Sequence, residues 1–368
     1  MRTGRLRSAT LLVALGLAAA ARAAPLDALP SAEDAPAGLQ LMLARDVAND
    51  SVDLLHWRDK AGRSGSTIGR YGGWQGDVLW RSGRLRLDAG LWQRRIDDGA
   101  LNQSLRSWRL GGQWRLGEPE PSGSLGAPPR TRWALRASAW GSGAERLSRQ
   151  TGAALVAGAL DAQVGRLSLV RPRDRQTQVD LLMSRALAPA WSFHAALGAG
   201  RSRVANQAVT GTADVDGCPY TLDFGADQLV ATPADHCRHA LIVAVPNALL
   251  PSAAQPETNY RARLSHAALA VRYEQPGWSL TLGHDWLHWR RERIDALIAD
   301  RGLRGLRDTR SLVAQLQVEL TPHLSGLLRV QVMEHAFLAE LPLAYNTQTT
   351  GQLSHRYGLV SAGLAARF

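Results

Sequence analysis

Arginine is the residue type with the most chemistry to offer in this chain. The 368 residues carry 43 Lys and Arg against 32 Asp and Glu, a formal net charge of +11, and Lys60 is the single lysine. A guanidinium pairs with carboxylate or phosphate oxygens through a planar fork, so the placement of these arginines decides between nucleic-acid binding, ion selection and internal pairing. They recur at every second position. Gly83–Ile96 reads GRLRLDAGLWQRRI, with Arg84, Arg86, Asp88, Gly90, Trp92 and Arg94 on one face and Leu85, Leu87, Ala89 and Leu91 on the other. The same parity places Arg109, Arg115, Arg132, Arg136, Arg272, Arg329 and Arg367 on polar faces, with Asp77, Asp88, Glu274, Asp285 and Glu319 on those faces too. Period two is the signature of a strand, not of a helix. A wall of fixed positive charge selects anions. The same composition also suits an internal salt-bridge network, and the sequence leaves both uses open. No nucleic-acid partner is expected from so dispersed a pattern.

Other reactive residues are few. Cys218 and Cys237 stand in one stretch, and an isolated pair in an exported protein favours a disulfide. His236 and His239 flank Cys237 without zinc-ligand spacing. Asp214-Val215-Asp216-Gly217 begins like a calcium loop but lacks its later ligands and closing glutamate. No metal and no cofactor is expected. For hydrolysis, His323 and Ser325 lack an acidic orienter, His284 and His288 share a strand face that Asp285 does not, and Asp97-Asp98 has no positioned histidine. No catalytic set is assigned, although a hydrolase remains one reading of the chain.

The elements that carry these residues alternate along most of the chain. Trp108, Leu110, Gly112, Trp114 and Leu116 oppose Ser107, Arg109, Gly111, Gln113 and Arg115. Apolar series recur at Trp133–Ala139, Trp191–Leu197, Ala267–Tyr273, Trp278–Leu282, Leu312–Leu320 and Leu328–Val332. Many begin or end on an aromatic, as interfacial girdles do, and about ten residues suit a tilted membrane strand. A soluble exported sandwich or propeller also alternates. Its strands are shorter, and its polar faces do not carry two or three arginines each.

Short turns at Ser82-Gly83, Val164-Gly165, Ala188-Pro189-Ala190, Gln275-Pro276-Gly277 and Thr321-Pro322-His323-Leu324 alternate with longer connections. The inner connection near 118–130 is the one that breaks this rhythm. The spacing predicts an all-β, up-and-down antiparallel barrel of about fourteen strands, twelve to sixteen being compatible. The strands fall near 38–58, 66–81, 84–97, 105–117, 130–142, 149–163, 166–172, 176–187, 190–204, 258–274, 278–292, 308–321, 325–338 and 353–368. Residues 205–257 form a long external loop. Fourteen strands lie between barrels filled by side chains and barrels that hold a water channel.

The flanks set the compartment. Arg2, Arg5 and Arg7, the apolar run Thr10–Ala21 and the small-x-small site Ala21-Arg22-Ala23 predict a signal peptide over 1–23, followed by a lead over 24–37. No later run is long and apolar enough for a transmembrane helix. At the other end Val360, Ala362, Leu364, Ala366 and Phe368 alternate to the final aromatic. These features together resemble the outer-membrane β-barrel proteins of Gram-negative bacteria. The resemblance implies export through the periplasm to the outer membrane, contact with outer-membrane lipid, and recognition of the Phe368 strand by the barrel-assembly machinery. It leaves the oligomeric state open. The function expected from the arginine face is a passive channel or uptake pore for small, anionic solutes. A non-conducting barrel with a surface-binding or envelope-assembly role is the alternative.

Overall fold

Alternation of side chains becomes a wall when each strand finds a partner on both edges. The computed structural model describes residues 37–48, 70–97, 102–117, 131–157, 160–225, 227–237, 241–246, 258–334, 345 and 356–368. The strands in chain order are β1 (Gly38–Ala48), β2 (Arg70–Ser82), β3 (Leu85–Asp97), β4 (Asn102–Leu116), β5 (Thr131–Ala144) and β6 (Arg146–Ala157). Then come β7 (Leu160–Val170), β8 (Arg173–Ala188), β9 (Trp191–Ala205), β10 (Ala208–Val215), β11 (Cys218–Phe224) and β12 (Gln228–Pro233). β13 (Val243–Pro246), β14 (Tyr260–Gln275), β15 (Trp278–Arg291), β16 (Asp308–Thr321), β17 (Leu324–Glu334) and β18 (Arg356–Arg367) complete them, and helix α1 (Ile294–Asp300) joins β15 to β16. The predicted signal peptide, nearly all of the lead, residues 49–58 of the first segment and the 118–130 connection lie outside the described residues.

Twelve strands close an antiparallel barrel in the order β1-β2-β3-β4-β5-β8-β9-β14-β15-β16-β17-β18 and back to β1. The seam joins the two ends of the barrel: Gln40 pairs with Arg367 and Val47 with Val360. The Phe368 amide donates to the Leu39 carbonyl at 2.8 Å, and the Leu39 amide donates back at 3.1 Å. The tight turns gather at one rim, here the turn end, where Gly83 and Gly277 take φ of +55° and +84° that other residues rarely adopt. The opposite rim is the loop end.

The expectation of about fourteen barrel strands is corrected to twelve. Segments 149–163 and 166–172 are strands, but they leave the wall, because β5 pairs directly with β8 from Thr131↔Arg185 to Gly143↔Arg173. Val164-Gly165 is accordingly no inner turn and lies inside β7. Residues 146–170 contain no Phe, Trp or Tyr, but neither do the wall strands β1, β8, β16 and β17, so what keeps this hairpin out of the wall is that β8 takes the place beside β5. It pairs instead with part of the long 205–257 stretch in a six-stranded sheet, β6-β7-β10-β11-β12-β13. Asp216-Gly217, read above as the start of a calcium loop, makes the β10–β11 hairpin turn, with φ of +52° and +78°. Its geometry is the one Asp-Gly favours, and the Gly217 amide donates to Asp214 Oδ1 at 2.9 Å. Cys218 and Cys237 are disulfide-bonded within this sheet.

The barrel is inverted relative to a soluble protein. Its outer face exposes Leu41, Leu43, Val78, Leu87, Leu110, Leu135, Val179, Leu181, Leu197, Leu269, Leu282, Leu312 and Leu364. Trp80, Trp114, Trp133, Trp191, Trp278 and Phe368 are exposed in a ring near the turn end. Trp191, Tyr273 and Trp278 stack in sequence there at centroid distances of 4.7 and 5.4 Å. The buried face is polar, with Asp, Arg, Ser, Gln and His at inward positions of every wall strand described. Among the described residues no helix is long and apolar enough to cross a membrane.

Candidate functional site: the barrel lumen

The lumen has three levels. Nearest the turn end is a cavity of about 690 Å³. It is bounded by β14 to β18 and β1 to β4, with Arg81, Arg86, Arg109, Arg272, Arg329 and Arg367 facing Asp77, Asp88 and Glu274. Gln40, Gln75, Gln315 and Gln317 supply neutral hydrogen-bonding groups between the charges. Arginine outnumbers acid by six to three in this lining, so an anion entering it meets a net positive wall.

The charges are tied in register. Asp88 accepts two hydrogen bonds from the Arg136 fork at 2.6 and 2.9 Å, and Arg109 and Arg86 approach it at 3.5 and 3.8 Å. Arg109 also donates to Asp77 at 2.9 Å, and Gln75 donates to the other Asp77 oxygen at 2.7 Å. Arg272 pairs with Glu274 at 3.1 Å. Three carboxylates in the lumen cross to the neighbouring strand over a glycine. Asp77 pairs with Gly90, Asp88 with Gly111 and Asp180 with Gly198. A Cβ on any of these glycines would run into the facing carboxylate, so the missing side chain is the space through which the acid reaches the next strand.

The middle level is a buried polar layer. His266 lies between two carboxylates, its Nδ1 2.8 Å from Asp180 and its Nε2 2.8 Å from Asp285. Gln178 donates to Asp180 at 2.6 Å, and Ser202 donates to Asp174 at 2.8 Å. Arg94 is fully buried, donates to Ser107 at 2.7 Å and lies 4.3 Å over the Trp92 ring. Asp46 is buried at the same depth. Beside this layer Ala134, Leu182, Ala196, Ala268, Ala270 and Val313 fill the lumen on the other side.

The loop end is capped by apolar packing. Ile294 and Ile298 of α1, with Leu306 and Tyr345, pack on the inward Tyr260, Leu264, Leu287 and Trp289. Arg291 stacks on Tyr345 at 3.9 Å and donates to the Leu306 carbonyl at 2.8 Å. The six-stranded sheet closes the rest. Leu147, Leu169, Val209 and Leu222 join one cluster with the inward Trp92, Leu105, Met333 and Leu359 of the wall, and Gln103 donates to the Ser148 carbonyl at 2.8 Å.

The structure brings Arg86, Arg109 and Arg136 together around Asp88, and places Arg272 and Arg329 on the same cavity. Arg94 sits deeper, in the polar layer. Arg84, Arg115 and Arg132 are half-buried near the turn end, where the Arg115 amide donates to the Arg84 carbonyl at 2.9 Å. Val360, Ala362, Leu364, Ala366 and Phe368 form the outward face of the seam strand, with Phe368 73% exposed. His323 is exposed in a turn, and Ser325 is buried on β17. Asp285 faces the lumen, while His288 on the opposite face bonds Asp308 at 2.9 Å. Asp98 is outside the described residues. Among the described residues no group of three or more His, Cys, Asp or Glu could hold a metal ion. The His266 layer and the three glycines carried no signal in the linear sequence, because each is defined by cross-strand register.

No protein-family model matches this chain, and no curated protein matches it. Several solved barrels are similar in architecture. The translocator domain of the autotransporter NalP from Neisseria meningitidis aligns at TM-score 0.45 and 11% identity, over 93% of this chain and 91% of that one. The toluene transporter TodX from Pseudomonas putida aligns at 0.42 and 12%, over 94% and 93%. An outer-membrane channel from Pseudomonas putida F1 aligns at 0.41 and 11%, over 92% and 98%.

Proposed function

We propose that this chain spans the outer membrane and passes small anionic solutes along its lumen. The membrane reading is supported by the inverted barrel: an exposed apolar wall with a ring of aromatics at one rim is stable in hydrocarbon, where a closed sheet leaves no backbone group unpaired. In that setting the turn end faces the periplasm and the loop end faces outward. The observation that carries the channel is the charged cavity at the turn end, where fixed guanidiniums in a low-dielectric wall attract anions and repel cations. The polar layer and the loop-end cap restrict the path, so the expected conductance is small.

Flux through liposomes tests this reading. Purified chain in vesicles should admit a small monovalent organic anion faster than the matching cation. Arg272→Glu/Arg329→Glu, which reverses two charges of the cavity, should remove that preference. Equal entry of both ions in the unaltered chain would sink the selectivity.

A second reading rests on the cap itself. Two apolar clusters stacked over a buried polar layer are what a closed, non-conducting barrel requires, with the six-stranded sheet then serving as an external binding surface. Under this reading vesicles holding folded chain pass neither ion.

A further inference from the structure

The outer face of the wall changes character sharply toward the loop end. On β9 the outward residues run Trp191, Phe193, Ala195, Leu197, Ala199 and then Arg201 and Arg203. On β14 they run, from the other direction, Arg261, Arg263, Ser265, Ala267, Leu269, Val271 and Tyr273. Nine residues of strand at ~3.3 Å each, tilted as in membrane barrels, give an apolar height of about 20 Å, the scale of an outer-membrane barrel's apolar band. Immediately beyond it the guanidiniums stand side by side. Arg175, Arg203 and Arg261 form one cross-strand row. Arg201, Arg263 and Arg290 form the next. All six are exposed.

Like charges directly opposite one another on a sheet are destabilising. Here the arrangement occurs twice, on four adjacent strands. The arginines of the lumen are held against Asp77, Asp88 and Glu274, whereas among the described residues none of these six forms an ion pair. An external anion beside such a face would offset this repulsion. The apolar wall directly beneath it requires that the occupant also carry hydrocarbon.

We propose that this outward arginine cluster binds the phosphate groups of the lipid around the barrel, at the headgroup level of the outer leaflet. The inference rests on the membrane-spanning reading. Two rows spaced two residues apart present several forks to one polyphosphorylated headgroup, and guanidinium–phosphate pairs are charge-assisted and bidentate. A soluble partner would have to enter the headgroup layer to reach them, whereas a lipid meets both the apolar wall and the charges without displacement.

The test uses full-length chain and two vesicle types, phosphatidylcholine doped with bisphosphorylated lipid A or with the same lipid after dephosphorylation. Flotation first reports incorporation into undoped vesicles; failure there contradicts the membrane reading and the inference falls with it. For incorporated chain, lipids retained through detergent extraction are quantified by native mass spectrometry. The phosphorylated form should be retained at least about tenfold more than the dephosphorylated one, since each basic residue near an anionic surface contributes on the order of a factor of five. Arg201→Gln/Arg203→Gln/Arg263→Gln should lose most of that preference, while Arg185→Gln, an exposed arginine near the turn end of β8, should keep it. Equal retention of the two lipids by the unaltered chain, or an unchanged preference in the folded triple variant, would overturn the inference. Should the triple variant not fold, the comparison of the two lipids on the unaltered chain decides alone.

Discussion

At the residue scale the lumen is governed by a repeated device, an acid that reaches its hydrogen-bond partner across a glycine. Asp77, Gly90 and Arg109 share one register row, as do Asp180, Gly198 and His266. Period-two reading placed the arginines and acids on one face, because parity needs no knowledge of which strands touch. The glycines were invisible to it, since their meaning depends on the residue opposite. Two adjacent glycines on β4 separate the roles. A Cβ at Gly111 would run into Arg136 and Asp88, whereas one at Gly112, on the outer face, meets only Leu87 at 3.5 Å. Gly111→Ala should therefore destabilise the folded barrel by about 1–3 kcal/mol, and Gly112→Ala by much less, in urea titrations of chain folded into vesicles. Asp88→Ala should cost about 3 kcal/mol or more, because it strands the buried Arg86 and Arg136 without their carboxylate. An unchanged midpoint for Asp88→Ala would show that the network does not hold the lumen.

At the element scale the twelve wall strands were legible and the cap was not. Each wall segment announces itself by one apolar face, and most by an aromatic near the turn end. Residues 146–170 alternate as well, and counting alternation alone made them wall. What excludes them is the β5–β8 pairing, a contact between segments some thirty residues apart that no local pattern encodes. Their apolar residues serve the six-stranded sheet over the loop end, where Leu169 and Val209 pack with the inward Leu105. The sheet packs on the wall but shares no ladder with it, since the two are separate hydrogen-bonded sheets. Cys218 and Cys237 close a loop of 19 residues within the sheet, which the chain-entropy model values at roughly 3 kcal/mol. Cys218→Ala/Cys237→Ala should leave the heat-modifiable migration of the barrel unchanged and speed proteolysis within β10 to β13. Loss of the folded barrel band in this variant would mean that the cap is required for the wall to form.

At the scale of the whole molecule the chain is a sheet turned inside out, apolar outward and charged inward, and its asymmetry runs along the barrel axis. Aromatics ring the turn end, arginines crowd the outer surface near the loop end, and among the described residues the lumen holds its charged cavity toward the turns and its apolar cap toward the loops. In vesicles, lipids brominated near the carbonyl should quench tryptophan emission more than lipids brominated at the chain terminus, because Trp80, Trp114, Trp133, Trp191 and Trp278 occupy one interface. The central claim, that the arginine-lined lumen carries anions, is tested most directly by the reversal potential of single barrels in a planar bilayer under a salt gradient. Small current steps reversing on the anion side are expected. Silent membranes holding folded, inserted chain, or reversal on the cation side, would contradict it.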